Sequence, residues 1–171
     1  HSSEGSFVTR SVCLATGGMS YPSTGSDGSG YALAKALGHT IVPPKPALTP
    51  IVTCEQTAHL SGISLSNVST THRQSTTTGD LLFTRDGLSG PVILNLSRAV
   101  SKGDPVTIAV LDSSLLEENL LSFPQKRVST IIRTLGVPAS LTREICERSH
   151  LEPDRNAGTL QKEERKLLCR T

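Results

Sequence analysis

The chain has 171 residues, 36% of them hydrophobic, with 2 Tyr, 3 Phe, no Trp and a net charge of +2. That length fits one ordinary domain or two small ones, and the core must be aliphatic. No run approaches the roughly 18 apolar residues of a membrane span, low net charge with plentiful Leu, Ile, Val and Ala argues against disorder along the whole chain, and five aromatics are too few for a platform that stacks single-stranded nucleic acid.

Ser11-Val-Cys-Leu-Ala-Thr16 reads as a buried strand. It ends at Gly17-Gly18, two glycines that let the backbone pass close to another group. Ser23 to Gly30 is glycine-rich, and Tyr31–Leu37 is a good helix former closed by Gly38. Glycines ahead of a helix invite a phosphate cradle. Their order, Gly25-x-x-Gly28-x-Gly30, is not the G-x-G-x-x-G of a dinucleotide fold, and no P-loop Lys-Ser/Thr follows. A flexible turn feeding a helix is the simpler reading. Pro43-Pro-Lys-Pro46 forces an extended passage. Short strands are expected near 48–54, 63–70, 80–84 and 105–111. In Leu88-Ser89-Gly90-Pro91, Ser89 is expected to cap a short helix running through Leu96 to Arg98. Val128, Ile131, Ile132 and Leu135 follow the helical i, i+3, i+4, i+7 spacing, Gly136 supplies the stop, and Pro138 opens a helix carrying Leu141 and Ile145. A last helix is expected over about 159–171, with Leu160, Leu167 and Leu168 on one side.

Charge divides the chain. Residues 1–100 carry 6 Lys/Arg and 5 Asp/Glu, while 101–171 carry 11 and 10. The first part holds 28 Ser/Thr, a strand-and-turn composition. The charge-dense second part reads as a solvated helical surface. A nucleic-acid footprint would need a basic excess, and that part is only +1.

Residue chemistry yields no catalytic constellation. Gly87-Leu-Ser89-Gly-Pro91 misses the G-x-S-x-G nucleophile elbow. His1, His39, His59, His72 and His150 make no i, i+4 pair, and His39 reads as a helix-end residue. Asp80, Arg85 and Asp86 suit a turn or ion pair better than acid/base work. Cys13, Cys54, Cys146 and Cys169 form no CxxC, so no zinc site is expected. Without a signal-peptide pattern they are expected as free thiols in a reducing, cytoplasmic setting.

Cys13-Leu-Ala-Thr-Gly-Gly-Met-Ser-Tyr-Pro-Ser-Thr-Gly-Ser-Asp-Gly-Ser-Gly-Tyr-Ala-Leu-Ala-Lys-Ala-Leu-Gly-His39 resembles the signature of the BaiN/YhiN-like flavoproteins, NAD(P)/FAD-dependent oxidoreductases of the aminoacetone-oxidase type. Pro44–Pro50, Leu60–Leu65 and Gly79–Arg98 agree with that family in the same order, as does Lys162-Glu-Glu-Arg165. The resemblance implies an α+β insert: a small antiparallel β barrel or sandwich followed by a small helical bundle, set into the Rossmann-type FAD domain of a longer parent. Residues 1–22 would be a strand and Gly-Gly turn of that FAD domain, 23–112 the β-rich subdomain and 113–171 the helical one. Ala15, Thr16, Gly17 and Gly18 would lie against the dinucleotide, and Ser20 to Tyr31 would cross into the insert near it. Arg85 stands where the family's segment is expected to have His.

Both ends look cut, the last inside a helical pattern, so a fragment is expected. One strand and a Gly-Gly turn cannot supply both a pyrophosphate-binding helix N-terminus and a ribose partner. The fragment is therefore expected to be folded, colourless and catalytically silent, with FAD confined to the intact parent. Its partners would be the rest of that chain and a small-molecule substrate. Two alternatives stand beside this: an interaction module for protein or nucleic acid working through residues 125–171 without redox activity, and a relic that has lost flavin.

Overall fold

The computed structural model describes residues 5–171, so the first four positions of the expected FAD-domain segment lie outside the described residues. The chain divides into two compact units, one through Pro46 and one from Ala47.

In the first unit, a short 3-10 turn (Pro22–Thr24) precedes helix α1 (Ser29–Ala36). The helix starts two residues before the expected Tyr31 and stops one residue before Leu37. Gly38 follows at φ 90°, the left-handed stop that its sequence position suggested. The run Ser11–Thr16 is different. It carries no ladder, and all six residues are exposed. A strand needs a neighbour for its N–H and C=O groups, and an apolar run cannot provide one by itself. None of the unit's described residues is buried.

The second unit is α+β. Its strands are β1 (Ile51–Val52), β2 (Ser64–His72), β3 (Ser75–Thr84), β4 (Gly87–Ser89) and β5 (Thr107–Ala109). They form one antiparallel sheet in the order β1-β4-β3-β2-β5. Helix α2 (Pro91–Leu96) packs on the sheet, and α3 (Ser113–Ser122), α4 (Val128–Thr134), α5 (Ala139–Arg148) and α6 (Lys162–Arg170) follow as a bundle.

The long β2–β3 hairpin shows how sequence becomes a face. Leu65, Val68, Thr70 and His72 point inward. The step from Leu65 to Val68 is odd, so strict alternation would turn Val68 outward. A register shift between those two residues, with Asn67 at φ 56°, absorbs the extra position, as a β-bulge does. Asn is among the few residues that tolerate that conformation.

Two expectations are corrected here. Ser89 does not cap a helix: it lies in β4, paired with Leu82. The N-cap of α2 is Gly90 at φ 96°, where an added Cβ would stand 2.6 Å from the Asp80 carbonyl oxygen. The helix also ends at Leu96, short of Arg98. In α6, Leu160 and Leu168 are buried, but Leu167 is 44% exposed. Leu160 belongs to the extended lead-in, and Gln161 with Glu164 closes the capping box that starts the helix, which rotates Leu167 off the buried face.

Helix α3 lies where no apolar period was visible. Asp112 caps it, its Oδ1 accepting from the Ser114 and Leu115 backbone N–H groups at 2.8 and 3.0 Å, a strong N-terminal signal. Leu116 and Leu120 pack inward from α3. One core cluster runs from Leu65, Leu81 and Phe83 of the sheet through Val92 and Ile93 to Ile131, Ile132, Leu141 and Leu168 of the helices. No described helix is long and apolar enough to cross a membrane.

Candidate functional site: a glycine turn and a cationic helix pair

The four residues expected beside a dinucleotide lie together in the first unit. Ala15, Thr16 and Gly17 are exposed and Gly18 is half-buried. Gly17 takes φ 74°, a conformation that strains any residue with a Cβ. The Gly18 carbonyl accepts from the Gly28 N–H at 3.0 Å, which ties the turn to the start of α1. Gly30 lies directly against the Thr16 side chain, and a Cβ there would overlap Thr16 Oγ1. Side chains line the turn: a Cβ at Gly17 would stand 3.2 Å from Ser26 Oγ, and one at Gly18 3.4 Å from the Tyr31 hydroxyl.

The start of α1 fits a phosphate less well. Asp27 Oδ1 already accepts from the Ser29 N–H at 2.9 Å. That backbone hydrogen bond holds the Asp27 carboxyl below its ordinary range, so a negative charge sits where a pyrophosphate would be drawn by the helix N-terminus. The carboxylate at the start of α1 therefore does not suit a diphosphate there.

In the second unit, the β3–β4 turn presents Arg85 and Asp86 to solvent. Neither makes an ion pair among the described residues. The turn itself is firmly held. Thr57, 6% exposed, donates its hydroxyl to the Thr84 carbonyl at 3.0 Å, with the Arg85 and Gly87 carbonyls at 3.4 Å. The Asp86 carbonyl accepts from the Thr53 N–H at 3.2 Å. Gly87 passes so close to β1 that a Cβ would meet the Ile51 carbonyl and stand 2.9 Å from the Thr53 nitrogen. No sequence signal singled out Thr57, because its partners are carbonyls 27 to 30 residues away.

Charge is segregated among the helices. Residues 112–122, α3 and its cap, hold three acids and no base. Residues 126–148, spanning α4 and α5, hold five bases against two acids, a local +3. Arg127 pairs with Asp154 at 3.1 Å, and Arg148 with Glu144 at 2.7 Å. Glu144 also meets His59 Nε2 at 2.8 Å, which ties α5 to the 3-10 turn Ala58–Leu60. The Arg148 hydrogen bond, and after it that of His59, lowers the Glu144 carboxyl against the opposing effect of burial. Arg133 and Arg143 are exposed and pair with no acid among the described residues. Beside Arg133, an open groove of about 550 Å³ runs past Thr130, Thr134, Gly136, Pro138 and Ala139. No acidic residue lines it.

All four cysteines are free. Burial pushes the Cys146 thiol up to about 11 and also raises that of Cys169. Both are far from the thiolate character a reactive site needs. His72 and Arg73 both meet Asp104, at 3.0 and 3.1 Å, fastening the hairpin tip to the loop before β5. His39 follows α1, its N–H donating to the Ala34 carbonyl at 3.1 Å, as its place past Gly38 suggested.

Residues 45–171 match the family described as HI0933-like protein barrel and H2TH domain. Among characterised proteins, the chain is 31% identical over 131 residues to a ribosomal RNA dihydrouridine synthase of Haemophilus influenzae and 33% identical over 110 residues to one of Escherichia coli K12. It is 38% identical over 102 residues to a 3-dehydro-bile acid delta(4,6)-reductase of Clostridium scindens. These alignments cover 75%, 62% and 57% of this chain, and 33%, 28% and 25% of the respective relatives. The chain therefore spans about a third or less of each relative's length.

Proposed function

The chain belongs to the family of HI0933-like barrel and H2TH domains, and on that premise we propose that it is the insert region of an FAD-dependent oxidoreductase. The insert covers the cofactor and shapes the substrate pocket, while the chain alone is catalytically silent. The observation that carries this reading is the family match across 45–171, which includes two of the four ordered motifs on which the flavoprotein resemblance rests and all but the first residue of a third.

The relatives support a reaction class. A dihydrouridine synthase and a delta(4,6)-reductase, as their names state, both describe hydrogen added across a carbon–carbon double bond. Bound flavin supplies that hydride chemistry. The residues of this chain have other tasks. Ala15, Thr16, Gly17 and Gly18 hold one edge of the nucleotide by close backbone approach. A nicotinamide nucleotide as electron donor and a cytoplasmic setting complete the reading.

The test is the purified product of the whole coding sequence that contains these 171 residues. It should be yellow, hold one flavin per chain and bleach with NADH or NADPH in the absence of oxygen. The 171-residue chain mixed with FAD should retain none on desalting. A colourless whole product would overturn the reading, and so would stoichiometric flavin on the short chain alone.

A further inference from the structure

The glycine turn of the first unit is lined by hydroxyl groups without partners. Thr16 Oγ1 lies against Gly30, Ser26 Oγ beside Gly17 and the Tyr31 hydroxyl beside Gly18. Among the described residues, none of these three side chains makes a hydrogen bond, whereas those of the neighbouring Thr24 and Asp27 do. Ser26 and Tyr31 are half-buried. A hydroxyl withdrawn from water without a partner is destabilising, and a bound group that pairs with it removes that penalty.

The positions of these groups are set by the backbone. The Gly28 N–H donates to the Gly18 carbonyl at 3.0 Å, which brings residues 26–31 onto residues 16–18. The Tyr31 ring packs on Gly28, where a Cβ would stand 3.4 Å from Tyr31 Cδ2. Charge around the turn disfavours phosphate. Residues 11–34 contain no Lys or Arg, and their one charged side chain is Asp27. Asp27 lies between Ser26 and Gly28, both of which touch the turn.

We propose that this turn binds a neutral, hydroxyl-rich group, the sugar or sugar-alcohol part of a nucleotide, through the Thr16, Ser26 and Tyr31 hydroxyls and the Asp27 carboxylate, and does not bind the diphosphate. Naming the ligand as part of a nucleotide rests on the flavin reading above. The preference for hydroxyls over phosphate does not. Each Ser, Thr or Tyr hydroxyl donates one hydrogen bond and accepts others, as each hydroxyl of a sugar does. A carboxylate accepts from sugar hydroxyls, the pairing an acidic side chain makes with a ribose in dinucleotide folds. A diphosphate calls for N–H donors and positive charge, and it is repelled by that same carboxylate.

The experiment is a titration of the 15N-labelled 171-residue chain, followed by its amide resonances. Four probes separate the sources of binding. Riboflavin carries the sugar-alcohol chain and no phosphate, lumiflavin has the ring without that chain, adenosine carries a ribose, and inorganic pyrophosphate has neither ring nor sugar. Riboflavin or adenosine should shift the Gly17, Gly18 and Gly28 amides, and whichever binds more tightly identifies the sugar. Lumiflavin and pyrophosphate should leave those amides in place. Thr16→Val, Ser26→Ala and Tyr31→Phe should each weaken the sugar probe by about 2–10-fold, the loss of one hydrogen bond. Asp27→Asn, which keeps an oxygen for the Ser29 N–H, should weaken it as well. Amide spectra of the second unit report that each variant is folded. Pyrophosphate or lumiflavin moving the turn as much as the sugar probes would overturn the proposal. So would the absence of any shift at the turn, or equal affinity in all four variants. The colour of the whole coding product does not enter these titrations, so the sugar site and the reductase reading fail separately.

Discussion

Replacing Thr57 by Val removes one hydroxyl while keeping the shape of the side chain. Thr57 is 6% exposed, and its hydroxyl serves the Thr84 carbonyl at 3.0 Å, with two further carbonyls at 3.4 Å. In the variant, the Thr84 carbonyl loses this donor while Thr84 keeps its strand pairing with Gly87. A buried polar group left unpaired costs about 1–3 kcal/mol. With a urea dependence of about 2 kcal/mol per molar, the unfolding midpoint should fall by about 0.5–1.5 M at unchanged slope. Thr57→Ser keeps the hydroxyl and loses one methyl, for a cost of about 0.8 kcal/mol. The order of stability should therefore be Thr, then Ser, then Val. Amide exchange adds a local readout. The Thr53 N–H, which donates to the Asp86 carbonyl at 3.2 Å, should exchange faster in Thr57→Val than in Thr57→Ser. If Val matched wild type and Ser were the worse variant, methyl packing and not the hydrogen bond would hold the turn, and the account of how Arg85 and Asp86 are presented would fail.

Three further outcomes are expected. Ile132 is fully buried at the centre of the helical core, so Ile132→Ala should cost about 2–5 kcal/mol in chemical denaturation through the cavity it leaves. Glu144, held low by Arg148 and His59, stabilises the fold above the ordinary glutamate range near pH 4.3. That contribution is lost as pH falls through the lowered folded value, so Glu144→Gln should cost about 0.5–1 kcal/mol at pH 7 and nothing in strong acid, measured by melts across pH. In thiol titration at pH 8, Cys13 and Cys54 should react at once, while Cys146, buried and pushed up to about 11, should wait for denaturant.

Local signals carried far in some segments. Val128, Ile131 and Ile132 are buried in α4 as their spacing required. Gly136 takes φ 94° after that helix, and Pro138 opens α5. A glycine after an apolar period is read locally, because the left-handed conformation is a property of that residue alone. The strand regions were visible for the same reason, as β-branched runs between turns.

The misses have one cause. Thr57, the Leu65–Val68 bulge, Ser89 in β4 and the exposed Leu167 all depend on partners distant in sequence. Ser89 looked like a cap because Ser before Gly-Pro caps helices. Its backbone is instead committed to Leu82 of β3, a pairing that no local pattern reveals. The excess of bases over acids in residues 126–148 was hidden in the same way, since a sum of charges over 101–171 takes no account of which helix carries them.

By itself, then, the sequence determined the aliphatic core, the α+β order of elements, the glycine stops after α1 and α4 and, through its ordered motifs, the family. These are set by residue type and short spacing, where backbone preference and side-chain shape act alone. Only the tertiary structure decided which acids neutralise which bases and which carbonyls Thr57 serves. Those outcomes follow from distances of a few ångströms between residues up to 85 positions apart, as between His59 and Glu144, and such distances exist only once the chain has folded.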